Sequence, residues 1–248
     1  YEIASCLVGS EMCIRDRHRL YFFLFCAVLF ASCSKKYKIE GTSSVSLLDG
    51  KMLFIKVPAG DHWENIDSAE VIHGLFKMKG EVDSTVFASL YMDDECIMPL
   101  VIEPGNIRIS IDNAGITIKG TPLNDSFNDF ILKKNSLDDR AYDVEHEESR
   151  MIMDGHDLAT VHNEIGKKRA ALADEMNNLA KEFIQQNYEN VLGPGVFLML
   201  FNGMPYPVLT PMMEEIVSKA PESFMNDPLV KEYVAVARSN MEKMNRHP

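Results

Sequence analysis

Histidines and carboxylates, which together can bind zinc, gather in one acidic stretch of the chain. The spacing matches no compact metal motif, because residues six apart, such as His156 and His162, lie on different faces of a helix. Acid-rich runs of this kind are usually solvated surfaces. The sequence therefore predicts an exposed acidic segment, with no metal site and no cofactor. The candidate ligands are His146, His156, His162, Glu145, Glu147, Asp154 and Asp157.

Cys96 is a second candidate for chemistry, because it directly follows the acidic run of residues 93–95. Nearby carboxylates disfavour the thiolate that cysteine chemistry requires. The sequence contains no C-x-x-C pair and therefore no thioredoxin-type redox centre. No serine stands in the sequence context of a nucleophile elbow. We expect no catalytic residue, and we expect Cys96 to be a small side chain next to a loop.

Trp63, in "GDHWEN", is the only tryptophan of the chain. The neighbouring "PAGD" is typical of a turn, so the sequence places Trp63 in a loop. Loops often carry function, and an exposed aromatic ring can stack on a sugar or contact a partner. The alternative is that Trp63 packs over the edge of a sheet. Both interpretations stay open from the sequence.

The overall charge limits the classes of partner. The 248 residues carry a formal net charge of −12. Proteins that neutralise nucleic-acid phosphates need clustered lysine and arginine, so nucleic acid is not an expected partner. The length suits one large domain or two small ones.

The N-terminus resembles that of a bacterial lipoprotein. The apolar run of residues 20–31 is too short to span a bilayer as a helix, and basic residues precede it, which is typical of a signal peptide over residues 18–32. Its exit, "FASC", resembles a lipobox, and this resemblance implies that Cys33 is the lipidated residue. The alternative is a plain signal peptide with a chance cysteine. Residues 1–17 resemble translated sequencing adapter and are expected to be an artefact.

Four of the five cysteines lie in the predicted N-terminal segments or at the predicted lipidation site. Of the five, Cys6 and Cys13 lie in the adapter-like segment, and Cys26 lies in the predicted signal peptide. If Cys33 is lipidated, Cys96 is the only free thiol of the mature chain. One thiol cannot form an internal disulfide.

Residues 37–120 predict an antiparallel β-sandwich or open barrel. Short runs of alternating apolar residues are separated by turn residues such as those in "EPGN" and "DNAG". In "NIRISID", Ile107, Ile109 and Ile111 fall on one face of a strand, while the polar residues fall on the other. The other predicted strands are "YKIEGT", "KMLFIKV", "SAEVIHG", "LFKMKGEV", "TVFASLYM", "IMPLVIE" and "GITIKG".

Three segments, "VIHGLFKMKGEV", "MPLVIEPGNIRISID" and "GITIKGTPLNDSFNDF", resemble domain-of-unknown-function family 4369 over about residues 37–131. The resemblance implies a small β-domain at the N-terminus of a lipid-anchored, periplasmic thiol–disulfide oxidoreductase of the thioredoxin superfamily. It supplies no catalytic residue that could be assigned here. At the end of the third segment, Asn124 or Asp125 is predicted to cap a helix, and Pro122 to fix the turn before it.

After Leu123 the apolar residues follow helical spacing. Phe127, Phe130 and Ile131 begin the pattern, and a long amphipathic helix is predicted between Thr160 and Tyr188. Residues 138–157 are acid-rich and predict a helix end or a mobile loop. Prolines after Thr210 and Asp227 indicate two further helix starts. The fold class is therefore α+β, with a β-sandwich-like domain at 33–121 and a helical domain at 122–248.

Three functional hypotheses follow. The first is a lipid-anchored, non-catalytic binding or scaffolding protein on the periplasmic side of a bacterial membrane, with the membrane as one partner and a protein as another. The second is the N-terminal part of a thiol–disulfide oxidoreductase whose thioredoxin domain is absent from this chain. The third, a glycan-binding module, rests on Trp63 and the predicted β-fold.

Overall fold

The computed structural model describes residues 35–60, 62–201, 203 and 205–246. From Lys36 onward the described chain forms one compact unit. The predictions for residues 1–17, for the signal peptide at 18–32 and for the lipidation of Cys33 lie outside the described residues and stay predictions.

Eight strands occupy the first half of the described chain, and six helices follow them, which confirms the α+β class. Within that part of the chain no strand follows Lys119. The strands are β1 (Lys35–Ser43), β2 (Met52–Ala59), β3 (His62–Glu70), β4 (Leu75–Val82), β5 (Val86–Met92), β6 (Glu95–Ile102), β7 (Gly105–Asp112) and β8 (Gly115–Lys119).

The strands form two four-stranded sheets that share one hydrophobic core. Sheet A has the order β4-β1-β7-β8, and sheet B has the order β3-β2-β5-β6. In β7, Ile107, Ile109 and Ile111 are buried while the residues between them are exposed, as their alternation predicts. Leu53 and Ile55 of β2 supply the core from sheet B.

One strand pair departs from the expected antiparallel pattern. β1 pairs with β7 in parallel, with Ile39 opposite Ile107. In sheet B, the pairings of β2 with β3, of β2 with β5 and of β5 with β6 are antiparallel, and so is the pairing of β7 with β8 in sheet A. Parallel neighbours need a long connection, and here the chain passes through β2–β6 before β7 returns beside β1. The alternation of apolar residues within a strand does not indicate whether that strand pairs with its neighbour in parallel or antiparallel.

The third strand begins earlier than predicted. β3 starts at His62 and includes Trp63, so the prediction of a loop around Trp63 was wrong. Ala59 pairs with His62, and Gly60 adopts a φ of 66°, which suits a tight hairpin turn. The sequence pattern does not indicate this strand, because β3 lies at the edge of a sheet and most of its residues are exposed. The strand therefore lacks a clear apolar face.

The helices of the second half are two long ones and four shorter ones. The acid-rich residues 138–153, predicted as a helix end or a loop, lie inside the first helix. Among the described residues, no helix combines the length and the apolar character needed to cross a membrane. The helices are α1 (Pro122–Met153), α2 (Leu158–Gln186), α3 (Leu192–Phe201), α4 (Pro211–Lys219), α5 (Glu222–Met225) and α6 (Pro228–Arg246).

The helical region packs directly on sheet B. Phe127 of α1 meets Phe87 of β5 edge-to-face, with 5.6 Å between the ring centroids. Phe130 stacks on Phe183 of α2 at 4.4 Å. Gly195 explains the "GPG" sequence, because a Cβ there would lie 2.4 Å from the Phe87 ring. The first helix therefore packs on the sheet, as the absence of a flexible linker predicts.

Candidate functional site

The start of α1 is built from buried polar side chains. Glu103, which follows β6, accepts hydrogen bonds through Oε1 from the backbone N–H groups of Leu123 (2.9 Å) and Asn124 (3.1 Å). Thr121 is the N-cap residue, and its side chain makes no capping hydrogen bond. The prediction that Asn124 or Asp125 caps the helix was therefore wrong. The helix is capped by the carboxylate of Glu103, which follows a strand of sheet B. The helix dipole favours negative charge at this end.

Two asparagines of α1 bind the outer strands of the two sheets. The Asn124 side chain accepts from Val101 N–H at 2.9 Å and donates to Val101 C=O at 2.7 Å. Asn128 Oδ1 accepts from Ile118 N–H at 3.2 Å. Val101 lies in β6 and Ile118 in β8, the last strands of sheets B and A. One helix turn thus satisfies backbone groups that an edge strand otherwise leaves unpaired.

This junction is structural. Its carboxylate and amides are buried and bind backbone groups of the chain itself. Both asparagines belong to the segment "GTPLNDSFNDF". Their hydrogen bonds explain why so polar a segment can begin a helix that is buried at its start. Glu103 was missed because its partners lie about twenty residues further along the chain.

A cleft of about 360 Å³ opens between sheets A and B. Tyr37 of β1 lines the cleft and donates a hydrogen bond from its hydroxyl to Asp67 Oδ2 of β3 at 2.8 Å. Burial, followed by this carboxylate, raises the pKa of the Tyr37 hydroxyl above its usual value. Gly80 is required here, since a Cβ would lie 2.6 Å from the Tyr37 hydroxyl oxygen. The lining also includes Val57, Ile66, Lys79, Glu81, Asp83 and Val86.

The cleft brings together side chains that are far apart in the sequence. These side chains do not form an arrangement that would carry out a defined reaction. The volume of the cleft is near the lower end of the range for small-molecule sites. Its lining combines apolar side chains with Lys79 and several carboxylates. The Tyr37–Asp67 hydrogen bond ties sheet A to sheet B at this end of the sandwich.

The outer side of sheet B carries a group of aromatic side chains around one lysine. We call Phe54, Lys56, Trp63 and Tyr91 the aromatic face. The Trp63 and Tyr91 rings lie 5.8 Å apart at an angle of 56°. Lys56 Nζ lies 4.4 Å from the centre of the Tyr91 ring, a cation–π distance. Trp63 is 51 % exposed, so its ring is half available to solvent.

The structure resolves the two interpretations of Trp63 in part. The residue lies on an edge strand, as one interpretation required, and its ring is half exposed, as the other required. The sequence could not reveal its neighbours, because Lys56 and Tyr91 reach it through the pairing of β2 with β3 and β5.

Cys96 borders the aromatic face. It is an exposed free thiol that lies opposite Tyr91 in the β5–β6 pair. Burial first, and the Cys96 side chain second, raise the pKa of the Tyr91 hydroxyl. The preceding Asp93 and Asp94 form the turn between the two strands, with a φ of 53° at Asp93. Cys96 therefore sits directly after the turn, next to a loop as the sequence predicts, and it belongs to strand β6.

The residues weighed as candidate metal ligands are not brought together. Within the described part of the chain, no three histidine, cysteine, aspartate or glutamate side chains are placed to share a metal ion. His146 packs edge-to-face on Tyr142 at 4.2 Å. Glu147 pairs with Lys168 at 2.5 Å. Asp157 accepts from Thr160 N–H and so caps α2.

The family comparison concerns the β-rich part of this structure. Residues 37–127 match the family described as "Domain of unknown function (DUF4369)". The DUF4369 match includes β1 from Tyr37 onward, the strands β2–β8 and the start of α1 with Asn124. It also includes the cleft and the aromatic face. No curated protein matches the chain.

Proposed function

We propose that the chain is a lipid-anchored binding protein on the periplasmic side of a bacterial membrane, and that it holds its partner on the aromatic face. The observation that carries the proposal is the half-exposed Trp63 beside Tyr91 on the outer side of sheet B. Tryptophan and tyrosine are enriched in binding surfaces because they combine a large apolar area with a polar tip. The DUF4369 match supports a shared domain type, and its name assigns no activity.

The lipobox-like "FASC" supports the anchor. Two or more acyl chains hold a protein at a membrane stably, whereas one chain holds it only marginally. The test is metabolic labelling with a fatty acid in a bacterial host, followed by membrane fractionation. We expect Cys33→Ala to lose the label and the membrane retention, while Cys26→Ala, a change in the preceding apolar run, keeps both. Equal labelling of the two variants contradicts the anchor.

A photoreactive amino acid placed in living cells tests the aromatic face. We expect a discrete cross-linked product when it replaces Trp63, and none when it replaces Leu47, which is also exposed but lies outside the aromatic face. The product formed at position 63 should disappear when Tyr91→Ala and Lys56→Ala are added. Identical products at positions 63 and 47 contradict a binding role for this surface.

Glycan binding is a second candidate for the same surface, favoured by the exposure of Trp63, because a sugar ring can stack on an indole face. Trp63 is the only tryptophan, so the fluorescence of the whole protein reports on this ring. Titration with soluble β-linked oligosaccharides should then shift the emission, and Cys96→Ser, a neighbouring change, should leave the shift intact. An emission spectrum that stays constant through the titration argues against glycans.

The oxidoreductase hypothesis is supported by the DUF4369 match to residues 37–127, because the sequence resemblance implies this domain at the N-terminus of such enzymes. The gene sequence downstream of codon 248 tests it. A frame that continues into a W-C-x-x-C motif supports an enzyme, and an in-frame stop codon supports the binding protein.

A further inference from the structure

The two long helices extend beyond the main helical core as an antiparallel hairpin. We call residues 137–172 the arm. Helices of 32 and 29 residues are roughly 48 and 44 Å long. The arm has its own small hydrophobic cluster, which only α1 and α2 supply and which is separate from the core around Phe127. Its buried members are Val144, Val161, Ile165 and Leu172.

The tip of the arm exposes apolar side chains. Ile152, Met153 and Leu158 are 46 %, 78 % and 55 % exposed and lie on either side of the turn between the helices. The turn itself is well formed: Gly155 adopts a φ of 81°, and Asp157 caps α2. Three large apolar side chains grouped at one end of an element mark an interaction surface more often than single exposed ones do.

The charge around this tip has one dominant sign. Residues 143–169 contain seven carboxylates and four basic residues, which are Arg150, Lys167, Lys168 and Arg169. Glu147 and Glu148 are paired with Lys168 and Arg169. Four of the other acidic residues are exposed to solvent: Asp143, Glu145, Asp154 and Glu164.

We propose that the tip of the arm docks a basic, amphipathic segment of another protein. The apolar side chains supply contact area, and the surrounding carboxylates select the sign of the partner's charge. An anionic lipid surface and a nucleic acid are repelled by the same carboxylates, and so is the tip of a second copy. The proposal uses no residue of the aromatic face, so it stands independently of the function proposed above.

A helical peptide of about 18 residues, with leucine on one face and lysine on the other, serves as the probe. It is titrated against the whole protein, and a photoreactive group on it maps the contact. We expect cross-links within residues 150–158. The triple variant Ile152→Ser, Met153→Ser and Leu158→Ser should weaken binding at least about tenfold, because the apolar contact is lost. The matched control changes Leu47, Leu75 and Met244, which are also exposed, to serine and should bind unchanged.

Two further measurements complete the test. Helix content and the unfolding midpoint of the triple variant should equal those of the parent, because the substituted side chains are exposed. Added salt should weaken the binding of the lysine peptide, and a glutamate analogue should not bind. Any of four results overturns the proposal. The first three are equal affinity in the tip and control variants, binding of the glutamate analogue, and binding of phosphatidylglycerol vesicles that the tip variant loses. A dimer in sedimentation that only the tip variant abolishes also overturns it, since the occupant is then a second copy.

Discussion

The side-chain amide of Asn124 makes both hydrogen bonds that a neighbouring strand would make to Val101. Its oxygen accepts from the Val101 N–H at 2.9 Å, and its nitrogen donates to the Val101 C=O at 2.7 Å. Both residues are fully buried. The Asn124 side chain therefore takes the place of one residue of a further strand at the edge of sheet B. At the edge of sheet A, Asn128 makes a single hydrogen bond of the same kind to Ile118.

Replacing this amide should destabilise the whole compact unit. Asn124→Ala leaves the N–H and the C=O of Val101 buried without partners, at about 1–3 kcal/mol each, so we expect the free energy of unfolding to fall by about 2–6 kcal/mol. Asn124→Asp should do no better, because its second oxygen would face the Val101 carbonyl and lie near Glu103. Urea titration measures both effects. Asn135→Ala, at an exposed position of the same helix, should change stability by less than about 0.5 kcal/mol; a comparable loss there contradicts the explanation.

Two glycines should respond to alanine with opposite signs. At Gly41 a Cβ would lie 1.9 Å from the buried Phe76 ring, so Gly41→Ala should cost about 1–3 kcal/mol of stability. At Gly166, inside α2, a Cβ meets nothing within 4 Å, and Gly166→Ala should stabilise the helix by up to about 1 kcal/mol. Thermal unfolding compares the two variants. The addition of Phe76→Leu should partly restore Gly41→Ala, and no recovery would show that the clash is not the cause.

Tyr37 should make the protein sensitive to alkaline pH. Its pKa is raised in the folded chain, while the unfolded chain releases the proton near pH 10. The stabilisation by this group is therefore complete below about pH 10 and is lost as the pH rises toward the raised pKa. Tyr37→Phe should flatten the decline in unfolding free energy above pH 10, although buried Tyr233, whose pKa is also raised, will keep part of it. Tyr142→Phe, at an exposed position, is the control; an identical slope in both variants contradicts the assignment.

Thiol chemistry should be at background in this chain. Cys96 is the only cysteine after residue 33, and one thiol cannot form the internal disulfide that a reducing cycle produces. We expect no insulin reduction above that of buffer containing dithiothreitol. Cys96→Ser should behave in the same way. Turnover that is present in the parent and absent in Cys96→Ser would establish a redox role for this exposed thiol.

The sequence by itself determined the two halves of the fold and the place where they meet. Alternation in "NIRISID" specifies which isoleucines are buried, because side chains of a strand point to opposite faces in turn. The helix starts at Pro211 and Pro228 follow from local chemistry, since Thr210 and Asp227 accept hydrogen bonds from N–H groups of their own helix ends. Such features depend on residues a few positions apart, so they can be read along the chain.

Only the tertiary structure decided which distant groups share a surface. The parallel pairing of β1 with β7 and the meeting of Trp63, Lys56 and Tyr91 depend on the order of strands in each sheet, which alternation leaves open. The capping of α1 by Glu103 depends on the same placement. For the candidate metal ligands, types and proximity in sequence were known in advance, yet the long helices carry His146 onto the ring of Tyr142 and Glu147 toward Lys168. A helix spreads consecutive side chains around its axis, so nearness along the chain does not become nearness in space.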